Sequence, residues 1–254
     1  THPERTRAEV RRDYAPLARA HAHRADAVLV PSAYTAGEVE RLLELPRERM
    51  TICPAGAPDW TPRPAVPKDG YVLFFGTLEP RKNIGGMLDA WEKLLTGPRL
   101  PELVLAGRAT DEAAPWLERI GRPPLLGTVR HIGYVDDGDR RALYEGARLL
   151  VHPSFDEGFG MTVLEAMSLG VPVVASDRGS LPEVLGGAGL QVDPDRPADI
   201  ADAIARVLRE DGLAESCAAK GVDRARAFRW EHTAGLVYDA YRAAIERARM
   251  RRRT

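Results

Sequence analysis

The sequence predicts an α/β protein built on a parallel, doubly wound sheet. Three observations predict it. Past a proline-rich stretch, short apolar runs alternate with longer segments of helical period. The runs at 71–75, 103–106 and 149–151 are apolar at nearly every position, as strands buried on both faces are. Glycine closes several of them, at Gly76, Gly107 and Gly133, where ligands meet such sheets.

Residues 1–25 carry Arg5, Arg7, Arg11, Arg12, Arg19 and Arg24 among few apolar positions, and read as a helix with a solvated or partner-facing side. A short strand follows at 27–30. Ser32 is then placed to cap a helix running to Leu43, because its hydroxyl accepts from a first-turn amide. Residues 50–53 form another strand. The segment 58–67 holds four prolines and reads as a semi-rigid linker. Beyond it come a strand at 71–75, a helix at 83–95, a strand at 103–106 and a helix at 112–120. A strand at 129–132 and a helix at 140–147 precede the strand at 149–151. A helix ending at Gly170, strands at 172–175 and 190–192, and helices at 197–209, 213–227 and 231–247 complete the set.

The chain has 254 residues, 44% hydrophobic and 29% charged, which is ordinary for a soluble globular protein with a core. A net charge of −1 argues against a general nucleic-acid binder. No apolar run approaches a membrane span and no secretory signal opens the chain. Cys53 and Cys217 lie far apart without metal spacing and read as plain thiols, pointing to the cytoplasm. The six histidines show no metal-ligand spacing.

The chemistry concentrates in residues 156–167. Leu149, Leu150 and Val151 lead in as a buried strand, Gly158 and Gly160 let the backbone approach a ligand, and a helix follows. Its opening amides, around Phe159, Gly160, Met161 and Thr162, favour an anion. Glu157, in the loop, can face a polar sugar. Glu165, in the helix, can accept from a pair of hydroxyls, or complete a capping box with Thr162. After the strand at 71–75, Gly76 and Thr77 offer close backbone contact. Arg81 and Lys82 are placed to bind phosphate, or form an ordinary solvated helix start. No G-x-G-x-x-G follows any strand, which argues against a dinucleotide site.

Glu157 and Glu165 are separated by the seven residues 158–164. With Gly158-Phe159-Gly160 between them, His152-Pro153-Ser154 before and Ala166 to Val174 after, they resemble the E-x7-E signature of retaining glycosyltransferases of family 4. The resemblance implies the GT-B fold, in which a Rossmann-like C-terminal domain holds most of a nucleotide-diphospho-sugar. It covers about residues 25–241. It implies that residues 1–60 are the end of an acceptor domain plus the start of a linker. Residues 61–254 are then the donor-binding domain with a last helix, opened by Phe228-Arg229-Trp230, that crosses back to the first domain. Most of the acceptor domain is expected to lie outside this sequence.

The same resemblance assigns roles. Arg81, Lys82 and Glu157 form the catalytic set, the two cations on the diphosphate and the acid on the donor sugar. Lys82 matches the family's lysine. Many members carry arginine directly after the glycine, where this chain has Thr77, so Arg81 either substitutes or faces solvent. Gly76, Thr77, Arg108, Tyr134, Val135, Phe159, Gly160, Met161, Thr162 and Glu165 bind the donor, Glu165 through the ribose. Tyr134 has the alternative of a plain interface aromatic. Asp137-Gly138-Asp139 resembles the D-x-D metal motif of the other large glycosyltransferase fold, but these acids precede a helix and read as caps. No metal and no cofactor is therefore expected. The function implied is metal-independent hexosyl transfer to a glycan or lipid-linked acceptor in cell-surface polysaccharide synthesis. A non-catalytic sugar-nucleotide-binding module and a sugar-nucleotide epimerase of the same fold are the alternatives. The basic tail, with Arg247, Arg249, Arg251, Arg252 and Arg253, reads as a solvated terminus, or as a peripheral contact with the inner face of a membrane.

Overall fold

A computed structural model describes residues 15–251. The arginines expected on a helix before Ala15, and Arg252 and Arg253 of the tail, lie outside these residues. The chain divides into two compact units. One holds the chain up to Ala57 together with the chain from Phe228 onward; the other is Pro58–Ala227.

In the first unit α1 (Ala15–Arg24) leads to β1 (Val28–Val30), α2 (Ala33–Leu43) and β2 (Met50–Ile52), with the C-terminal helix Trp230–Arg251 in the same unit. β1 and β2 pair in parallel, Val28 opposite Met50. Ser32 caps α2 as expected, its Oγ accepting from Thr35 N at 3.0 Å. Arg49 donates to the Ala22 and His23 carbonyls at 3.3 and 3.2 Å, which satisfies acceptors the end of α1 would leave open.

The second unit is a six-stranded parallel sheet. Its strands are β3 (Tyr71–Phe75), β4 (Leu103–Ala106), β5 (Val129–Gly133), β6 (Ala147–His152), β7 (Val173–Ser176) and β8 (Leu190–Val192), in the order β5-β4-β3-β6-β7-β8. The chain enters at the centre, winds out to β5, returns to β6 beside β3, and winds out to β8. Winding reverses between β3 and β6, and ligands of such sheets bind outside the carboxyl ends of the strands at that point. Helices α3 (Ile84–Leu94), α4 (Ala114–Ile120), α5 (Asp137–Glu145), α6 (Met161–Ser168), α7 (Leu181–Leu185), α8 (Pro197–Arg209) and α9 (Leu213–Ala225) accompany the sheet. Ile84, Leu88 and Trp91 on α3 meet Ile200, Ile204 and Val207 on α8, spaced three and four apart so that one stripe of each helix is apolar. Asn83 caps α3 through Gly86 N and donates from its amide to Pro153 O at 3.2 Å and Pro194 O at 2.7 Å. It thereby ties the helix to the loops after β6 and β8.

The linker is pinned as well as stiff. Arg63 donates to the carbonyls of Tyr144, Glu145, Ala147 and Gly170, and burial pushes its pKa down to about 10.

Three differences from the sequence reading stand out. α5 starts at Asp137, not Arg140, because Asp137 and Asp139 sit inside its first turn, where acids complement the helix dipole. Gly146 ends that helix, so β6 already begins at Ala147. α7 was not expected; Pro182 starts it and Gly186, at φ 56°, stops it after five residues, too few to show a period.

Candidate functional site

A charged cluster and a cavity lie side by side at the carboxyl ends of the strands. The first joins the turn after β3 to the loop after β6. Pro80–Lys82 forms one 3-10 turn that carries both cations inward. Lys82 is 8% exposed, and its Nζ donates to Glu157 Oε1 at 2.5 Å. Arg81 Nη1 lies 2.9 Å from Glu157 Oε2 and donates to Asp156 O at 2.8 Å, while its Nη2 bonds Glu79 at 2.7 Å. Arg81 thus turns into the cluster. His152 closes it, with Nε2 3.0 Å from Glu157 Oε1 and its ring stacked on Phe74 at 6.1 Å.

The charges follow from these contacts. Burial disfavours the Glu157 carboxylate, but His152, Lys82 and Arg81 overcome burial and hold its carboxyl far below the usual range. Burial, then Lys82, pushes the His152 pKa down, which favours the neutral imidazole. A carboxylate only accepts, so the neutral ring carries its proton on Nε2, leaving Nδ1 as a buried atom without a hydrogen-bond partner among the described residues. The cluster therefore sets two cations, Arg81 and Lys82, against two carboxylates, Glu157 and Glu79, at the ends of β3 and β6.

Its backbone is fixed from a third side. Gly179, at φ 64°, lies so close to the loop that an added Cβ would stand 2.8 Å from Glu157 N and O. Ser180 then donates to Glu157 O from both its amide, at 3.0 Å, and its hydroxyl, at 2.8 Å. Gly160, at φ 99°, is the N-cap of α6, and no side chain caps this end. Phe159 and Gly160 are buried just before the helix, and Met161 opens it.

Beside this cluster is a cavity of about 360 Å³. Phe75, Gly76 and Thr77 line it from the end of β3, Gly107 and Arg108 from the end of β4, and Tyr134 and Val135 from the end of β5. Asp137 and Arg140 of α5 and Thr162 of α6 complete the wall. Arg108 lies over the Tyr134 ring, 4.5 Å from its centroid. A Cβ on Gly76 would lie 3.6 Å from Lys82 Nζ, so the cavity and the cationic cluster share that strand end.

Glu165 stands behind this wall. Arg140 Nη2 donates to its Oε1 and Tyr144 Oη to its Oε2, both at 2.8 Å. The side chain serves these partners, and the N-cap is Gly160 rather than Thr162, so the capping-box reading is overturned. Burial raises the Glu165 carboxyl above its ordinary value, with Tyr144 and Arg140 opposing the rise. Glu165 is the fifth residue of α6, two positions deeper than the capping box requires.

The structure thus brings Arg81, Lys82 and Glu157 together, and gathers Gly76, Thr77, Arg108, Tyr134, Val135 and Thr162 around one cavity. Sequence reasoning missed Arg140 and Tyr144. With α5 starting at Asp137, residues 137, 140 and 144 fall on one helical face, and that spacing was the available signal. It also missed the grip of Gly179 and Ser180 on Glu157. Among the described residues no group of three or more His, Cys, Asp or Glu side chains is arranged to hold a metal ion, and no helix is long and apolar enough to cross a membrane.

Comparison with known proteins gives a consistent picture. A family model described as glycosyl transferases group 1 matches residues 69–210. The O-antigen chain mannosyltransferase B of Escherichia coli is 39% identical over 229 residues, which are 85% of this chain and 60% of that protein. The phosphatidyl-myo-inositol mannosyltransferase of Mycobacterium leprae is 33% identical over 67% of this chain and 46% of its own length. This chain therefore spans about half of such relatives. Among solved structures, the sucrose-phosphate synthase of Thermosynechococcus elongatus superposes with a TM-score of 0.79 at 25% identity, over 95% of this chain and 63% of that one. Anabaena HepE, solved with UDP and glucose, gives 0.79 at 20% identity over 95% of this chain and 69% of that one. The fold is thus the Rossmann-like α/β fold of GT-B glycosyltransferases.

Proposed function

The chain belongs to the group 1 glycosyl transferases, and on that premise we propose that it is the donor-binding portion of a retaining hexosyltransferase that needs no metal. The observation that carries this reading is a cavity at the ends of β3, β4 and β5 beside two cationic side chains, Arg81 and Lys82, held where the sheet reverses its winding. The cavity takes the nucleoside. Arg108 and Tyr134 offer a cationic and aromatic face to the base, and Glu165 accepts from the ribose hydroxyls. The diphosphate lies over Lys82, Arg81 and the uncapped start of α6, which meet the charge that grows on it as it leaves. Glu157, kept ionised, faces the sugar and favours positive character at the anomeric carbon.

In the transfer, an acceptor hydroxyl oxygen bonds the anomeric carbon on the face from which the diphosphate departs. The bond from that carbon to the phosphate oxygen breaks with its electron pair going to the diphosphate, which also takes the hydroxyl proton. The anomeric configuration is retained. Two cationic side chains and a helix end serve the leaving group where other enzymes use a metal. The acceptor is a glycan or lipid-linked glycan, a class suggested by the names of the O-antigen and phosphatidyl-inositol relatives. It engages surfaces beyond this unit, at the face of a membrane.

Titration calorimetry of the chain with UDP, GDP and pyrophosphate, with and without EDTA, tests the donor site. Binding of a nucleoside diphosphate that survives chelation is expected. No binding at millimolar concentration sinks the reading, and loss of most affinity on chelation returns Asp137 and Asp139 to consideration as ligands. Transfer is expected from the complete enzyme and only poorly from this chain. An inverted anomer in its product, read by NMR, would overturn retention.

A further inference from the structure

Arg140 touches both the cavity and Glu165. It lines the cavity wall, and its Nη2 holds Glu165 Oε1 at 2.8 Å. Its Nη1 bonds Asp137 at 3.1 Å, its guanidinium lies 5.5 Å from the Phe75 ring centroid, and its Nε is buried with no hydrogen-bond partner among the described residues. A buried donor left unsatisfied is costly. The guanidinium keeps that position because it gains the Glu165 contact and the ring.

We propose that Arg140 is a positioning residue of the donor site, one that keeps the Glu165 carboxylate ionised and fixed in the rotamer that receives the ribose of a nucleoside diphosphate. The inference rests on the proposed role of Glu165. Capacity for that role remains. An ionised carboxylate offers about four lone-pair sites, and here one donor, Arg140 or Tyr144, meets each oxygen. Tyr144 is wholly buried and packs edge-on against Phe75 at 5.7 Å, so it cannot follow a wandering carboxylate.

The electrostatics support the geometry. Three groups act on Glu165, all on α5: Tyr144 and Arg140 favour its ionised form and Asp137 disfavours it. α6 carries no other titratable side chain. The neighbouring helices meet α6 with apolar atoms, α9 through Gly221 against Met167 and α7 through Leu181 against Gly160. Arg140 is therefore the only full positive charge among these groups. Without it, burial and Asp137 raise the carboxyl further and the protonated form gains.

The test is the affinity of UDP and GDP, with pyrophosphate as the ribose-free control, for the wild type, Arg140→Leu and Arg140→Lys from pH 7 to 9. The wild type is expected to show a flat profile. Arg140→Leu should bind both nucleotides roughly tenfold more weakly at pH 7, lose less as pH rises, and bind pyrophosphate within about twofold of wild type. Arg140→Lys retains the charge and should restore the flat profile with a smaller loss. It carries the comparison alone if Arg140→Leu does not fold. Equal weakening of UDP and pyrophosphate would place Arg140 on the phosphate and overturn the inference, as would wild-type affinity in Arg140→Leu at every pH. Failure of the wild type to bind either nucleotide removes the donor site itself, a result distinct from both.

Discussion

Glu157 and Glu165 are 9% and 5% exposed, yet their surroundings drive their carboxyls in opposite directions, the first down and the second up. The difference lies in what burial is set against. Glu157 faces two cations and an imidazole N–H at the end of β6, where the sheet reverses. Glu165 faces one guanidinium and one phenol, with Asp137 nearby. One motif thus supplies a fixed anion and a more easily protonated acceptor. Spacing sets where the acids stand, and the partners brought by other elements set what they do.

The largest expected effect comes from removing a cation on the Glu157 side. Lys82→Ala takes away the closest buried partner of an ionised carboxylate. Breaking a buried pair costs about 3–5 kcal/mol, and because Arg81 and His152 remain, a loss near the lower end is expected in urea unfolding. Pyrophosphate affinity should fall roughly 10- to 150-fold, with nucleoside affinity little changed. Equal loss for both ligands would show that Lys82 does not serve the phosphates.

A second experiment sharpens the contrast through pH. The folded-state carboxyl of Glu157 is depressed below its ordinary 4.5. Its contribution to stability is therefore complete above about pH 4.5 and is lost as pH falls. The folded-state carboxyl of Glu165 is raised above the same value, so its contribution is present at low pH and lost as pH rises through 4.5 toward the folded value. Unfolding free energies from pH 3 to 7 for wild type, Glu157→Gln and Glu165→Gln should show this. The wild-type advantage over Glu157→Gln should shrink by roughly 2 kcal/mol toward the acid end, and that over Glu165→Gln should change in the opposite sense. Parallel slopes would mean the two environments are alike.

Much of this was legible in the chain. The apolar runs at 71–75 and 103–106 fixed the parallel sheet, and the glycines after them marked the edge where the cavity opens. The Arg81-Lys82 pair and the E-x7-E context located the first cluster. What stayed hidden was long-range. Nothing local to Glu165 announces Arg140 and Tyr144, which reach it from 25 and 21 positions away. The grip of Ser180 on Glu157 O spans 23 positions. The misplaced start of α5 concealed part of the rest, because opening the helix at Arg140 leaves Asp137 off the face that Arg140 and Tyr144 share.

The smallest effect concerns the rim of the cavity, where neither acid acts. Tyr134 is 58% exposed and Arg108 covers its ring at 4.5 Å. A cation–π contact at so exposed a site is worth about 0.5–1 kcal/mol, too little to matter to the fold, so an aromatic kept only as an interface residue would be replaceable without a binding cost. If the pair instead forms the wall for the base, Tyr134→Leu should weaken UDP and GDP about two- to fivefold, leave pyrophosphate unchanged, and leave the melting temperature within about a degree. Tyr134→Phe retains the ring and should bind as wild type. A loss in Tyr134→Phe equal to that in Tyr134→Leu would assign the effect to the hydroxyl rather than to the face of the ring. No loss in either would leave nucleoside recognition to Glu165 and the strand-end backbone alone.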